Sequence, residues 1–188
     1  NEAIAEGITD IGENKVQEII NKYDDIDPVN WHLIGHLQRN KVKYIIDKVK
    51  LIHSLDSIRL AKEIDKRAKQ HEIKMNVLIQ INIAKEDTKF GLYINEIDDF
   101  VQEVQELENL NIKGLMTIVP HEEDPEKVRP YFRELKSVFE TLKAKKLKGI
   151  DMQYLSMGMS NDYKIAIEEG SNIIRIGTAI FGERNYNK

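Results

Sequence analysis

Short apolar runs alternate with longer amphipathic stretches along the whole chain. The short runs are rich in Ile, Val and Leu, as strands are, whereas the longer stretches repeat apolar residues with helical spacing. The predicted strands are Ile8–Ile11, Trp31–Ile34, Leu51–Leu55, Asn76–Ile83, Ile112–Val119, Ile150–Met157 and Ile173–Phe181. The predicted helices are Lys15–Tyr23, Gln38–Lys48, Ser57–His71, Asn95–Leu107, Pro125–Lys145 and Asp162–Glu169. Strands separated by helices predict a parallel sheet with right-handed crossovers.

Two α/β architectures fit this alternation, a doubly wound open sheet and the (β/α)8 TIM barrel. The strands recur roughly every 27 residues, close to the roughly 31 residues per unit of a typical barrel. The glycine-rich first turn GxGxxG, common in open nucleotide-binding sheets, is absent. We therefore expect residues 1–188 to form a single TIM-barrel domain.

The number of predicted strands is one short of a closed barrel, which needs eight. The segment NEAIAEG at Asn1–Gly7 is typical of the last turns of a helix that ends at a C′ glycine. A helix that directly precedes a strand normally follows another strand. We therefore expect the first strand and part of the first helix of the barrel to lie upstream of Asn1.

Composition excludes several classes of function. Lys and Arg number 28 and Asp and Glu 32, so the net charge of −4 argues against nucleic acid as a partner. No apolar run approaches the roughly 20 residues of a membrane span. The absence of cysteine excludes disulfides, thiol nucleophiles and cysteine-ligated zinc. These features favour a cytoplasmic protein, and the lack of an evident apolar stripe favours a monomer.

The segment LSMGMSND, Leu155–Asp162, leaves a predicted strand through a turn of small residues and enters a helix. Main-chain N–H groups at such a turn, together with the Ser160 hydroxyl, can bind an anion such as a phosphate. A simpler interpretation is a capped helix in which Met157 and Met159 only pack.

A second candidate segment is RIGTAIFG, which starts at Arg175. Strand alternation predicts that Arg175 and Gly177 face the barrel interior together. Gly177 lets a ligand approach the main chain, and Thr178 adds an amide and a hydroxyl. Barrel enzymes often bind phosphate at the ends of strands seven and eight, where both segments would fall. The alternative for Arg175 is a salt bridge to a neighbouring carboxylate.

Polar residues also follow the first two predicted strands, in Gly12-Glu13-Asn14 and in the segment from Trp31 to Lys41. His32 and His36 are four residues apart, but Gly35 and the change from strand to helix disfavour a helical zinc pair. We expect no metal site and a structural hydrogen-bonding role for either histidine. Lys89 follows the fourth strand and could face the same end of the barrel, although a solvated loop lysine is an alternative at least as well supported.

Six motifs in order resemble the YggS/PROSC family of pyridoxal-phosphate (PLP) homeostasis proteins. The resemblance covers essentially the whole chain. It implies a barrel similar to the amino-terminal domain of alanine racemases, and a PLP-binding protein without strong catalytic activity. The motifs are GENKVQE (Gly12–Glu18), WHLIGHLQRNK (Trp31–Lys41), KEDTKFG (Lys85–Gly91), KGLMTI (Lys113–Ile118), LSMGMSND (Leu155–Asp162) and RIGTAIFGER (Arg175–Arg184).

The resemblance also implies residue roles. Ser160, Gly177 and Thr178 would hold the cofactor phosphate, Arg175 would sit beside the pyridine nitrogen, and Asn14 would lie near the ring. The Schiff-base lysine of the family lies on the first barrel strand, in a segment that precedes GEN. We therefore expect this lysine upstream of Asn1, and no visible lysine is assigned the role.

The leading hypothesis is a protein that binds, buffers or transfers PLP, with PLP-dependent apoenzymes as possible recipients. An arginine can only donate hydrogen bonds, so Arg175 favours the unprotonated pyridine ring and weakens PLP as an electron sink. The alternative is a PLP-dependent racemase or lyase of the alanine racemase type. A third hypothesis is a barrel that binds another phosphorylated metabolite.

Overall fold

Seven parallel strands form one sheet in a computed structural model that describes residues 1–182. Residues 183–188 lie outside the described residues, and they include Glu183 and Arg184 of the last motif. The strands are β1 (Asp10–Glu13), β2 (Asn30–Leu33), β3 (Leu51–Leu55), β4 (Met75–Ile81), β5 (Leu110–Thr117), β6 (Ile150–Met159) and β7 (Ile173–Arg175).

Helices connect successive strands. The α-helices are α1 (Glu2–Ala5), α2 (Val16–Lys22), α3 (Ile58–Gln70), α4 (Ile97–Val104), α5 (Arg129–Lys145), α6 (Tyr163–Glu168) and α7 (Thr178–Phe181). Three 3₁₀-helices cover Arg39–Tyr44, Ile94–Glu96 and Pro125–Val128. Within residues 1–182, none of the helices has the length and apolar character needed to cross a membrane.

The strands pair in chain order, each with the next one along the sequence. The register runs from Asp10 opposite Asn30 to Met159 opposite Arg175. The sheet curls into a nearly closed TIM barrel, as the sequence predicted. Among the described strands, β1 and β7 are the two edges, and a seam separates them. The prediction of a further strand upstream of Asn1 stays a prediction.

The predicted helix end before β1 is confirmed. Gly7 has a φ of +95°, and its N–H donates to the carbonyl of Ile4 while the N–H of Ile8 donates to the carbonyl of Ala3. This pair of bonds is the Schellman motif, which needs a residue such as glycine in the left-handed region. The motif turns the chain directly from α1 into β1.

Two predicted elements are wrong in part. The strand predicted over Ile173–Phe181 ends at Arg175, because its neighbour β6 ends at the paired residue Met159. The following residues form α7, in which the N–H groups of Ile180 and Phe181 donate to the carbonyl of Gly177. The helix predicted over Gln38–Lys48 is instead a short 3₁₀-helix followed by turns.

Two apolar clusters hold the barrel together. The larger one lies between the sheet and the helices, where α5 contributes Phe132 and Leu135, both fully buried. The smaller one consists of Leu51, Leu78 and Met116 and is separate from the helix-facing cluster. Since side chains alternate along a strand, this second set occupies the inner face of the barrel.

Local sequence signals explain why the two longest helices begin where they do. The Ser57 hydroxyl accepts a hydrogen bond from the N–H of Leu60 at the start of α3. The Asp124 carboxylate accepts from the N–H of Glu126, and Pro125 occupies the first helical position before α5. Such caps bind N–H groups that would otherwise lack a partner.

A close approach between β5 and β6 depends on Gly114. Gly114 has a φ of +152°, and a Cβ at this position would overlap the carbonyl oxygen of Tyr154. The register between the two strands shifts at the same point, between the pairs of Ile112 and Gly114. No other residue type can occupy this position without moving one of the strands.

We expect Gly114→Ala to lower the free energy of unfolding by about 3 kcal/mol, because a clash with main-chain atoms adds to the strain of a positive φ. Gly149→Ala is the matched control, since Gly149 has a φ of +74° but open space around its Cβ position. It should lower the free energy of unfolding by only about 1 kcal/mol. Urea denaturation measures both values, and equal losses would contradict the close approach.

Candidate functional site

One large cleft of about 1630 Å³ extends from the carboxyl ends of the strands through the barrel interior, where His32 and His53 also line it. The cleft extends along the seam between β1 and β7 and is lined by the segments that follow β1, β5, β6 and β7. Active sites of barrel proteins lie at this end of the barrel. All five predicted site residues line the cleft: Asn14, Ser160, Arg175, Gly177 and Thr178.

A tight turn after β6 presents Ser160 to the cleft. Gly158 has a φ of +94°, and a Cβ there would lie 2.6 Å from the Cβ of Ala166 on α6. The buried carboxylate of Asp162 accepts a hydrogen bond of 2.6 Å from the N–H of Met159. These contacts hold the turn against α6 and thereby define the main-chain position of Ser160.

Gly177 and Thr178 form the first turn of α7 and are not part of a strand. The prediction that Arg175 and Gly177 share a strand face is therefore wrong, because β7 has already ended at Arg175. A Cβ at Gly177 would meet no atom of residues 1–182 within 4 Å, so the main chain is not covered by the described part of the chain there. The N–H groups that open such a turn have no partner within it.

The two predicted phosphate segments meet in the structure. The N–H of Ala179 donates a hydrogen bond of 3.4 Å to the Ser160 hydroxyl. This contact brings the Ser160 hydroxyl to the first turn of α7, which Gly177 precedes and Thr178 begins. The donor set is uncharged and faces the cleft, and it fits the oxygens of a phosphate group.

Arg175 is partly buried, and uncharged groups accept its hydrogen bonds. Its Nη1 donates to the Ser156 hydroxyl at 2.6 Å, and its Nη2 donates to the carbonyl of Thr117 at 2.7 Å. The ion pairs found within residues 1–182 do not include Arg175, so the predicted alternative of a salt bridge is wrong. Burial lowers the pKa of the guanidinium to about 10, and the more distant charge of Asp162 opposes the shift. Arg175 thus keeps its positive charge at neutral pH.

Asn14 lines the same cleft from the opposite edge of the sheet, just after β1. Gly35 positions it, because a Cβ at Gly35 would overlap main-chain atoms of Asn14. The N–H of Ile34 also donates to the carbonyl of Glu13 at 3.0 Å. Asn14 therefore has a fixed main-chain position, while its side chain is exposed to the cleft.

The other sequence candidates have local partners. His36 contacts the Asp56 carboxylate at 3.2 Å and stacks on the Phe90 ring at a centroid distance of 3.6 Å. Lys89 forms an ion pair of 2.6 Å with Glu86. In the part of the chain that the structure describes, no group of three or more His, Asp or Glu residues could hold a metal ion.

Sequence reasoning missed two residues of the barrel interior: Ser156, which contacts Arg175, and His53, which contacts Ser156. Ser156 and His53 are fully buried and hydrogen-bond to each other at 3.0 Å, although β3 and β6 are not adjacent in the sheet. The sequence does contain one indication that His53 is unusual, since it is a polar residue within the otherwise mostly apolar strand LIHSL. A single chain gives no indication that His53 and Ser156 meet.

Comparison with known proteins agrees with the geometry. Residues 1–185 match the family model described as alanine racemase, N-terminal domain. The pyridoxal phosphate homeostasis protein of Aquifex aeolicus is 48% identical over 96% of this chain and 79% of its own length. That of Escherichia coli K12 is 38% identical over 100% of this chain and 81% of its own length.

Solved structures show the same fold. PipY of Synechococcus elongatus, solved with PLP bound, is 32% identical with a TM-score of 0.86, over 96% of this chain and 85% of its own. An alanine racemase of Clostridium difficile is 20% identical with a TM-score of 0.75, over 98% of this chain and 47% of its own, a likeness of fold alone. The motifs, the barrel and these relatives agree, and the chain belongs to the pyridoxal phosphate homeostasis proteins, a family with the barrel of the alanine racemase N-terminal domain.

Proposed function

We propose that this protein binds PLP and buffers or transfers it to maintain the intracellular supply of vitamin B6. The observation that carries the proposal is the contact between Ser160 and Ala179, which unites two phosphate-binding segments beside Arg175. PipY, a relative with the same fold and 32% identity, has been solved with PLP bound. Residues 1–188 would act as one PLP-binding domain.

The residues of the cleft fit PLP at both of its polar ends. Ser160, Gly177 and Thr178 would hold the phosphate, where hydroxyls and open main chain are available. Arg175 would face the pyridine nitrogen, and Asn14 would lie near the ring from the β1 side. PLP, when bound, supplies an aldehyde that reacts with amines and a ring that withdraws electrons.

The environment of Arg175 favours binding over turnover. A guanidinium donates hydrogen bonds and cannot give the ring nitrogen a proton, so it stabilises the unprotonated pyridine. A carboxylate at this position would do the opposite. The neutral acceptors Ser156 and Thr117 leave the positive charge of Arg175 undiminished toward the cleft.

A lysine that reacts with the PLP aldehyde would lie on a further strand, in the seam between β1 and β7. Both edge strands border the cleft there. The side chains of Lys15, Lys41 and Lys89 belong to the ends of other strands. The resemblance to the family implies a reactive lysine in a segment before GEN, and we propose on that ground that it lies upstream of Asn1.

The cellular setting of the function is also part of the proposal. We place the protein in the cytoplasm, where it would act as a monomer and pass PLP to apoenzymes that need it. The net charge of −4 disfavours nucleic acid as a competing partner.

Ser160→Ala and Arg175→Ala should each weaken PLP retention by the full-length protein. The loss of one hydroxyl corresponds to about a fivefold weakening, and the loss of the guanidinium to tenfold or more. Ser137→Ala is the matched control, since Ser137 is exposed on α5, away from the cleft. Equilibrium dialysis with detection of PLP absorbance measures retention, and unchanged values for both variants would refute the site.

Borohydride reduction of PLP-loaded protein should label a lysine upstream of Asn1. The full-length protein and the 188-residue chain would each be reduced and mapped by mass spectrometry. We expect a pyridoxyl group on an upstream lysine of the former, and no specific label on the latter. Specific labelling of Lys89 or another lysine within residues 1–188 would contradict the placement of the lysine.

The PLP-loaded protein should exchange the α-hydrogen of amino acids no faster than free PLP does. The reason is that Arg175 does not protonate the ring, which limits its ability to stabilise a carbanion. Proton NMR in deuterium oxide with alanine and other small amino acids measures the exchange. Exchange well above the free-PLP rate would favour a racemase.

A further inference from the structure

A line of four hydrogen bonds crosses the barrel interior from Arg175 to Asp10. Arg175 Nη1 contacts Ser156 Oγ at 2.6 Å, and Ser156 Oγ contacts His53 Nδ1 at 3.0 Å. His53 Nε2 contacts His32 Nδ1 at 3.0 Å, and His32 Nε2 contacts Asp10 Oδ1 at 3.1 Å. The line joins five strands, β7, β6, β3, β2 and β1, and passes across the interior between β6 and β3.

The two ends of the line, together with neutral histidines, determine the direction of every bond in it. Arg175 can only donate, so Ser156 accepts from it, while Asp10, as a carboxylate, requires a hydrogen on His32 Nε2. A neutral His32 then accepts on Nδ1 from His53 Nε2, and a neutral His53 accepts on Nδ1 from the Ser156 hydroxyl. When both histidines are neutral, only the arrangement with hydrogen on Nε2 of each satisfies all four bonds.

Burial and charge keep both histidines neutral. His53 has no exposed surface, and its pKa is well below the usual value because of burial, of the positive charge that a protonated His32 would carry, and of the charge of Arg175. The pKa of His32 is also lowered, since burial and Lys50 outweigh the effect of Asp10. A protonated His53 would place a second positive charge beside Arg175, separated from it only by Ser156.

The stability of the fold does not explain why polar groups, and not apolar ones, form this line. The neighbouring interior cluster is apolar, and buried polar networks are often no more stabilising than apolar side chains of similar size. A fully satisfied network does restrict its members to one geometry. Here the restricted member is Arg175, whose Nη1 and Nη2 both donate inside the barrel while the residue also lines the cleft.

We propose that a relay of positioning residues holds the guanidinium of Arg175 opposite the pyridine nitrogen of bound PLP. The relay consists of Asp10, His32, His53 and Ser156. The proposal rests on the proposed function for the identity of the ligand. The relay itself is a property of the protein without ligand. Asp10, at the far end of the barrel interior from the phosphate segments, thereby influences the cofactor site through four hydrogen bonds.

The first test uses the ligand-free, full-length protein labelled with 15N-histidine. Two of the five histidines in residues 1–188, assigned through His53→Gln and His32→Gln, should show the neutral form with hydrogen on Nε2 at pH 7. The ring-nitrogen chemical shifts distinguish this form from the Nδ1 form and from the imidazolium. Either of the latter for His32 or His53 would overturn the relay.

The second test compares Ser156→Ala with Ser54→Ala. Both serines are fully buried, but the Ser54 hydroxyl has no hydrogen-bond partner among the described residues. Ser156→Ala should raise the Kd for PLP about fivefold, as expected for one lost hydrogen bond, and shift the absorption maximum of bound PLP. Ser54→Ala should change neither property. Equal effects of the two substitutions would overturn the relay.

Variants of Asp10 test the far end of the relay. Asp10→Ala should weaken PLP binding about threefold, whereas Asp10→Asn, which keeps an acceptor oxygen, should retain the parent affinity. The Asp10→Ala/Ser156→Ala double variant should lose no more affinity for PLP than Ser156→Ala alone. The reason is that Ser156→Ala already disconnects Asp10 from Arg175, so the two effects do not add. Additive losses, or an equal loss in Asp10→Asn and Asp10→Ala, would overturn the relay.

The measurements separate this proposal from the proposed function. If the parent protein does not bind PLP, the proposed function fails, and the histidine spectra still decide whether the relay exists. If the parent binds PLP and Ser156→Ala behaves like Ser54→Ala, only the relay fails. Circular dichroism shows whether Ser156→Ala folds. If it does not, the variants of Asp10, which is partly exposed, decide whether the relay exists.

Discussion

Main-chain hydrogen bonds between parallel strands, paired in chain order from β1 to β7, determine the rest of this structure. Because every strand runs in the same direction, the segments that follow the strands all emerge at one end of the barrel. Ser160 and Thr178 follow different strands, yet this arrangement brings their segments into contact. The pairing also turns alternate side chains inward, which is how His53 and Ser156 meet across the interior.

The environment of Arg175 connects the fold with the chemistry. A buried guanidinium must have acceptors, and the barrel offers it a hydroxyl and a main-chain carbonyl. With a carboxylate in direct contact, the same arginine would be part of a neutral ion pair. Among the described residues it has no such partner, so its positive charge stays unneutralised at the cleft that it lines.

The alanine racemase of Clostridium difficile has a similar barrel at 20% identity, and this likeness concerns the fold alone. Function depends on which groups the barrel places at its carboxyl end. In this protein these groups are hydroxyls, open main chain and an arginine with neutral partners. These groups suit the recognition of a phosphorylated ligand such as PLP.

Much of the architecture follows from local patterns in the sequence. The alternation of apolar runs and amphipathic stretches predicted the parallel barrel, and Ser57, Pro125 and Gly7 marked helix ends, because caps and positive φ angles depend on neighbouring residues. Ser160 and Thr178 were identifiable because small residues after a strand expose main-chain donors. The end of β7 at Arg175 was not predictable, since it depends on where β6 stops.

The sequence by itself thus determined the family, the order of the elements and the segments that could hold a phosphate. Only the tertiary structure decided what contacts Arg175, that Gly114 must allow β6 to approach, and that Asp10 and Ser156 belong to one line of hydrogen bonds. These features join residues that are far apart in the chain. Their contacts depend on strand register and barrel curvature, which no local pattern of residues encodes.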